Sequence, residues 1–392
     1  VLGKALIDGN IISLKYVVTN KDAANGATTF TSSTARGTFT DITIATTNAA
    51  SGGADAENIG SIQHNAPFNY AAQNRAVTAA DYKTIVPTIY PNVESISVWG
   101  GEYNNPAVYG KVYISIRPQA GNTLTEATKT SIITSLEEYN VVSITPVILD
   151  PETTKIIPVV NFKYNETITS KSRETLAAEV SAAIVTYSDD TLEKHEAIFR
   201  YSPFVNLIDE VDPSILSNIT TIKMSKTFLP TLGTATKYTI DYANAFFNPH
   251  SGHMASTSGI TPGGILSSTG FKYTGDATNV WYYEDDGAGL VKAYYILSSA
   301  KVYKAASVGT IDYGTGIIVI AKDDIASVED YNGVTQTYIR LTVVPSSNDI
   351  VPVRNQVLEI DTTNMSITGA ADSIAGGSSD GGTTYSTSAS YA

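Results

Sequence analysis

Residues 78–90 read Thr-Ala-Ala-Asp-Tyr-Lys-Thr-Ile-Val-Pro-Thr-Ile-Tyr, and this stretch decides the fold class of the chain. It opens with a hydroxyl residue, Thr78, and an acid three positions later, Asp81, which is the pattern of a capping box at a helix start. Apolar residues then recur at helical spacing as far as Tyr90, although Pro87 must kink the helix or end it early. A strand-like run follows at residues 93–99. The stretch therefore predicts a helix laid on a small sheet.

The same kind of pattern continues downstream. Residues 123–126, Thr-Leu-Thr-Glu, form a second capping box that opens another helix. The buried stripe of a third helix is expected at Leu176, Val180, Ile184 and Tyr187. Further elements are expected as strands at 111–117, 141–149, 156–164 and 219–228 and as a short helical segment at 203–210. The order predicts compact α+β units in the middle of the chain.

The two ends of the chain differ from this middle part. Residues 1–75 have a β-rich pattern, with strand candidates at 11–18 and 38–44. Beyond residue 229 the helical period disappears, and strands separated by Gly-, Asp- and Asn-rich turns predict an all-β region. These strands are expected at 237–242, 280–283, 291–297, 316–321 and 335–344. After about residue 366 few large apolar residues remain, which predicts a flexible tail.

These patterns predict a β-rich, multidomain α+β protein. Its expected divisions are a β-rich N-terminal domain at 1–75, an α+β unit at 76–150, a second α+β unit at 151–228, an all-β domain at 229–365 and a tail at 366–392. The chain begins at Val1 in what reads as the middle of a strand. We therefore expect it to be part of a longer protein.

Composition narrows the function classes. The 392 residues carry 25 Lys and Arg against 38 Asp and Glu, a net charge of −13, and no basic cluster is visible. A nucleic-acid partner is therefore not expected. No apolar run approaches the length of about 18 residues that a membrane-spanning helix needs, so no membrane partner is expected either. The absence of cysteine excludes disulfides, thiolate metal sites and cysteine nucleophiles. Ser and Thr, roughly a fifth of the chain, and 24 tyrosines suit half-exposed strands and interfaces.

No catalytic signature is present, and no catalytic, cofactor-binding or metal-binding residue is predicted. His250 and His253 have the spacing of a ligand pair, but they lie in a Pro-, Ser- and Gly-rich loop and are expected to be solvated. His195 is expected to be an exposed or helix-capping residue rather than a general base. The acid pairs Asp285-Asp286 and Asp323-Asp324 are not expected to form an acid/base dyad, because adjacent strand residues point to opposite faces. Since each pair lies at or near a turn, both are expected to be solvated.

Residues 99–106, Trp-Gly-Gly-Glu-Tyr-Asn-Asn-Pro, form the most unusual local sequence of the chain. One interpretation is a buried Trp99 that ends a strand and is followed by a flexible connection. The other is a loop that presents Trp99, Tyr103 and Tyr109 at an interface, where aromatic anchors concentrate binding energy. Composition alone does not separate these two interpretations.

Several segments around this loop together resemble the baseplate J-like family of contractile phage tails. They are residues 76–82 (AVTAADY), 90–93 (YPNV), 98–102 (VWGGE) and 109–116 (YGKVYISI), preceded by 16–20 (YVVTN) and 23–26 (AANG). The order of helix, strand, Asp-Pro turn and strand between residues 124 and 164 also fits. The resemblance covers about residues 10 to 228. Residues 308–319 (VGTIDYGTGIIV) are more particular to wedge components of T-even-type phages.

The resemblance implies a structural role and no catalytic residues. Such proteins form the wedge bodies of the baseplate, associate as homodimers and with other wedge proteins, and join into a ring around the hub. The ring changes shape when the tail is triggered and sheath contraction starts. The implied location is the tail baseplate of a virion, assembled in the host cytoplasm.

A carbohydrate-binding or carbohydrate-active β protein, secreted or on a surface, is the alternative. It requires exposed aromatic rings beside carboxylates about 5 to 9.5 Å apart. A buried Trp99 would count against it.

Overall fold

The computed structural model describes residues 55–372 apart from positions 105, 142 and 250–263, together with scattered positions between 11 and 53. The strands expected at 11–18 and 38–44 therefore fall on positions of which only a few are described. The α-helices of the described part are α1 (Ile59–Ala72), α2 (Ala79–Ile89), α3 (Glu126–Leu136), α4 (Arg173–Tyr187) and α5 (Tyr201–Asp209). The α+β class, rich in strands and divided into several bodies, is confirmed.

The strands of the described part form three sheets. They are β1 (Val93–Gly100), β2 (Lys111–Pro118), β3 (Thr145–Leu149), β4 (Glu152–Tyr164), β5 (Ile215–Phe228), β6 (Thr236–Asp241), β7 (Ser267–Ser268), β8 (Phe271–Tyr273), β9 (Asp276–Asp285), β10 (Leu290–Leu297), β11 (Ala300–Tyr303), β12 (Gly309–Asp312), β13 (Ile317–Asp323), β14 (Ile325–Val328), β15 (Ile339–Val343), β16 (Gln356–Ile360) and β17 (Ser366–Ala371).

The chain divides into two compact units. Unit 1 comprises Val1–Glu94, Val98–Tyr113 and Pro118–Ile148, and unit 2 comprises Ser95–Ser97, Ile114–Arg117 and Leu149–Ala392. The three-stranded sheet has the order β1-β2-β3.

Helix α2 of unit 1 begins as the capping box predicts. Thr78 Oγ1 accepts the backbone N–H of Asp81 at 3.3 Å, and the Asp81 carboxylate accepts the backbone N–H of Thr78 at 2.8 Å. The helix passes Pro87 and ends at Ile89, so of the two expected effects of Pro87 it does not show an end at the proline. Pro87 has no N–H to donate, but the N–H of Tyr90 forms a hydrogen bond to the Val86 carbonyl at 2.8 Å, so the turn that contains Pro87 is still closed.

Two other helix starts in unit 1 differ from expectation. Helix α3 is capped by Thr125, which accepts the N–H of Thr128, so it starts later than a box at 123–126 predicts. Helix α1 lies inside the region predicted to be β-rich. Asn58 caps it by accepting the N–H of Ser61 at 2.8 Å, and this local bond decides its start.

Unit 2 is built on two sheets. The six-stranded sheet has the order β16-β4-β5-β15-β7 with β17 also paired to β4, and the eight-stranded sheet has the order β14-β8-β9-β10-β12-β13-β6 with β11 paired to β10. Helix α4 buries Leu176, Val180 and Ile184, as the predicted stripe requires. Apolar residues from both sheets and from α4 and α5 belong to one continuous core.

This shared core removes the predicted domain boundary near residue 228. Strand β5, which ends there, pairs with β15, and β4 pairs with β16 and β17. The predicted tail also begins too early, because residues 366–371 form β17, parallel to β4. Residues 373–392 lie outside the described part. Local sequence patterns do not encode partners about 200 residues apart, so neither error was avoidable from periodicity.

Cooperative unfolding of the two sheets of unit 2 can be tested by tryptophan fluorescence. The protein has two tryptophans, Trp99 in unit 1 and Trp281 in unit 2. In a Trp99→Phe background, Trp281 on β9 reports the eight-stranded sheet alone. Ile360→Ala removes a buried side chain from β16 of the other sheet, at a cost of about 2 to 5 kcal/mol. We expect the urea midpoint reported by Trp281 fluorescence to fall accordingly.

The matched control is Ile219→Ala, the same change at an exposed position of β5. It should leave the midpoint nearly unchanged. An unmoved Trp281 transition in Ile360→Ala would mean that the two sheets unfold independently.

A second test concerns the entrance to α4. The Lys171 ammonium, 2.7 Å from Asp212 Oδ2, and hydrogen bonds from Ser214 lower the pKa of Asp212 to about 2. Because this folded-state pKa lies below the unfolded value of about 4, the carboxylate adds stability above that pH. The added stability is lost as the pH falls from about 4 towards 2.

We therefore expect Asp212→Asn to lower the free energy of unfolding most at pH 6, with the deficit shrinking towards pH 2.5. Urea titrations at several pH values measure this. Asp190→Asn, at an exposed carboxylate without such partners, is the control. A deficit that does not depend on pH would refute the role given to the charge.

Candidate functional site

The loop after β1 is held by Trp99. The indole N–H of Trp99 donates to Asn104 Oδ1 at 2.9 Å, and its ring stacks on Tyr113 with centroids 5.8 Å apart. Only 8 % of Trp99 is exposed. Trp99 therefore anchors the loop from inside and does not present its ring to a partner.

Two tyrosines of the same loop point outward. Tyr103 is 65 % exposed and Tyr109 is 81 % exposed. The Gly101 carbonyl accepts the N–H of Val108 at 2.8 Å. A Cβ atom at Gly101 would lie 1.9 Å from the Val108 carbonyl oxygen, so only glycine fits there. Of the three residues singled out in the sequence, Tyr103 and Tyr109 are exposed and Trp99 is buried.

His195 is buried, contrary to expectation. Its Nδ1 lies 2.8 Å from Ser95 Oγ and its Nε2 lies 3.1 Å from Ser115 Oγ. Its backbone N–H also donates to Ser95 Oγ at 3.0 Å, and it forms an isolated β-bridge with Val357. The prediction failed because these partners lie far away in the sequence, where a local pattern contains no trace of them.

The acid pairs are not simply solvated turns, because one member of each pair is buried. Asp323 Oδ2 accepts the hydroxyl protons of Tyr273 at 2.6 Å and Tyr283 at 2.7 Å. The Lys304 ammonium lies 3.2 Å from Asp323 Oδ1 and 3.9 Å from the centroid of the Tyr273 ring. Burial first, and the neighbouring carboxylate next, raise the pKa of Tyr273, so its hydroxyl stays a donor.

Asp285 has a similar environment. It accepts the hydroxyl proton of Tyr313 at 2.5 Å and the backbone N–H of Leu266 at 2.8 Å. Burial, followed by the bond to Asp285, raises the pKa of Tyr313. Asp285 follows Trp281 and Tyr283 at alternate positions of β9, and this alternation could have predicted its inward position. Both buried acids are satisfied by donors, as structural groups are.

The described residues contain no group of three or more His, Asp or Glu side chains placed to hold a metal ion. Glu284 is bonded to Lys301 and to the hydroxyl of Tyr303. His250 and His253 lie outside the described residues. In the part of the chain that is described, no helix is long and apolar enough to span a membrane.

Comparison with known protein families relates the middle of the chain to phage baseplate proteins. Residues 78–149 match the model described as baseplate structural protein gp6, C-terminal domain I. Residues 156–227 match the model for C-terminal domain III of the same protein. Both matches fall on the segments in which the sequence predicted α+β units. The class that these domains define is that of baseplate wedge-like structural proteins.

A curated relative belongs to the same class. The chain is 27 % identical over 223 residues to the baseplate wedge protein gp6 of Enterobacteria phage T4. The match covers 54 % of this chain and 33 % of the relative, so the chain spans about a third of that protein. Among solved structures, a chain of the anti-feeding prophage baseplate is similar to this one, with 14 % sequence identity and a TM-score of 0.33. The match covers 43 % of this chain and 38 % of the baseplate chain. That score is too low to support an argument.

The buried acid of the eight-stranded sheet can be tested directly. Asp323→Asn replaces an oxygen that accepts two tyrosine hydroxyls with an amide that satisfies them less well. We expect a loss of about 1 to 3 kcal/mol in the free energy of unfolding, measured by urea titration. Asp324→Asn, at the less buried neighbour, should cost clearly less. Equal losses in the two variants would show that burial of the Asp323 carboxylate has no special importance.

Proposed function

We propose that this chain is a structural subunit of a phage baseplate wedge, located in the tail of the virion. The observation that carries the proposal is the succession of two gp6 domain models, at 78–149 and 156–227, in one chain. Two matches of different domains in the order of their numbering are more specific than either match alone. The identity of 27 % over 223 residues extends the same relationship.

A role in assembly agrees with the chemistry of the loop after β1. Its two exposed tyrosines lie in a loop that the hydrogen bond from Trp99 to Asn104 anchors and in which only glycine fits at position 101. A tyrosine presented on a rigid base loses little conformational entropy when it binds, and aromatic side chains dominate the energy of many interfaces. Tyr103 and Tyr109 are therefore proposed as contacts to a neighbouring protein.

The finer features are proposals of the same kind. They are membership of the baseplate J-like family, self-association as a homodimer and into a ring around the hub, contacts to other wedge proteins, and a rearrangement that triggers sheath contraction. A non-enzymatic role fits the structural nature of the relatives. The buried position of Trp99 removes one of the aromatic rings on which a carbohydrate-binding role would rest.

Electron microscopy of the protein mixed with its wedge partners tests the proposal. A discrete wedge or ring that contains this chain is the expected result. Light scattering of the chain alone tests self-association. If no particle forms with partners and the chain is monomeric at every concentration, the proposal fails.

The tyrosine pair gives a sharper test. The double variant Tyr103→Ser, Tyr109→Ser should weaken the assembled complex at least tenfold, as sedimentation velocity measures, because two aromatic anchors are lost. Its unfolding midpoint should be nearly unchanged, since both side chains are exposed. Tyr70→Ser, at an α1 tyrosine that is 64 % exposed, is the matched control. Equal weakening by the control would contradict an anchor role specific to this loop.

A further inference from the structure

The outward face of the six-stranded sheet carries a long depression. Two cavities, of about 310 and about 250 Å³, adjoin there and share Tyr331, Arg340 and Asn364 among their walls. One wall is the sheet, and the other is the segment 331–338. We call this depression the sheet groove. All of its residues belong to unit 2.

Three cationic residues meet around one point of the groove floor. Lys155 on β4 is paired directly with Ser225 on β5. Lys223 lies two residues before Ser225 on the same strand. Arg340 on β15 is paired with Thr227, two residues after Ser225. Same-face positions that are diagonal to each other in a sheet lie about 7 to 8 Å apart, so the three cationic residues are neighbours of Ser225 on one face of the sheet.

The carboxylates nearby leave this charge partly uncompensated. Lys155 Nζ lies 3.3 Å from Glu359 Oε1, and Arg340 reaches Asp361 at 3.4 Å. Both distances exceed the 2.7 to 2.9 Å that is typical of strong charge-assisted bonds. The described part of the chain shows no hydrogen bond or ion pair for the Lys223 ammonium. Lys223 is therefore the cation of the three that is available to an anionic group of a partner.

The rest of the groove is suited to a polypeptide backbone. Ser225 is only 1 % exposed, which places the floor well below the surface. The side-chain amides of Asn332 and Gln336 line one wall and offer both donors and acceptors. The ring of Tyr331 lies over the Arg340 guanidinium, with its centroid 4.5 Å from Cζ, and orients the guanidinium group.

From this arrangement we infer that the sheet groove binds an extended, carboxylate-bearing segment of a neighbouring protein. A protein whose net charge is −13 has here a concentration of positive charge on a hydroxyl-rich floor. Complementary charge of this kind selects a partner and speeds its encounter. The two joined cavities together have a larger volume than a single small anion occupies. The inference rests on the groove alone and is independent of the baseplate assignment.

Fluorescence anisotropy of the whole protein tests the inference with a labelled ten-residue peptide of alternating Ser and Glu. An extended segment of this kind points its carboxylates to one side. The expected result is saturable binding that falls at least tenfold in Lys223→Glu, with the peptide of alternating Ser and Gln binding at least tenfold more weakly. Thermal unfolding of each variant verifies that it is folded.

Lys237→Glu is the matched control, since it makes the same charge change at an exposed lysine of β6 in the same unit. It should alter binding less than twofold. Three results would overturn the inference: no binding of the acidic peptide, an equal loss in Lys237→Glu, or tighter binding of a ten-residue thymidine oligonucleotide than of the peptide. The last result would assign the groove to a different class of polyanion.

Discussion

The architecture of unit 2 depends on the pairing of β4 along both of its edges. On one edge β4 meets β5 in antiparallel register, and on the other it meets β16 and then β17 in parallel. Between β16 and β17 the chain loops out at Asp361, whose backbone N–H still bonds to the Ile156 carbonyl at 2.8 Å. The C-terminal strands of the described chain, β16 and β17, therefore pair with a strand that precedes them by about 200 residues. This pairing completes the six-stranded sheet, and the shared apolar core joins it to the eight-stranded sheet.

The eight-stranded sheet is, in this view, an insertion between two neighbouring strands. Strand β5 ends at Phe228 and pairs with β15, which begins at Ile339. Most of the chain between them builds the second sheet, which shares the core of the first. The family match at 156–227 covers β4, α4, α5 and β5 and ends where the insertion starts. A boundary in family similarity is therefore not a boundary in packing.

Patterns of caps and periodicity predicted the middle of the chain well, because those signals are local. The capping box at Thr78 and the stripe of α4 both correspond to observed helices. What the sequence did not reveal depends on distant partners. His195 is buried by Ser95 and Ser115, and Asp323 is turned inward after a register shift in the pairing of β13 with β6. A single register shift of this kind moves a side chain to the opposite face of the sheet, and the periodicity of the sequence does not predict it.

The high tyrosine content has two different causes. Some tyrosines are buried and donate their hydroxyl protons to buried oxygens. These are Tyr242, Tyr273, Tyr283 and Tyr313. Tyrosine suits this task because it combines a large apolar area with one donor, so abundance alone does not indicate an interface. Its exposure separates Tyr103 from these residues. The two proposed contact surfaces also differ in chemistry. The loop after β1 in unit 1 is aromatic, and the sheet groove of unit 2 is cationic. Because salt screens charge but not apolar contacts, an assembly that uses both surfaces loses the contact at the groove first as ionic strength rises.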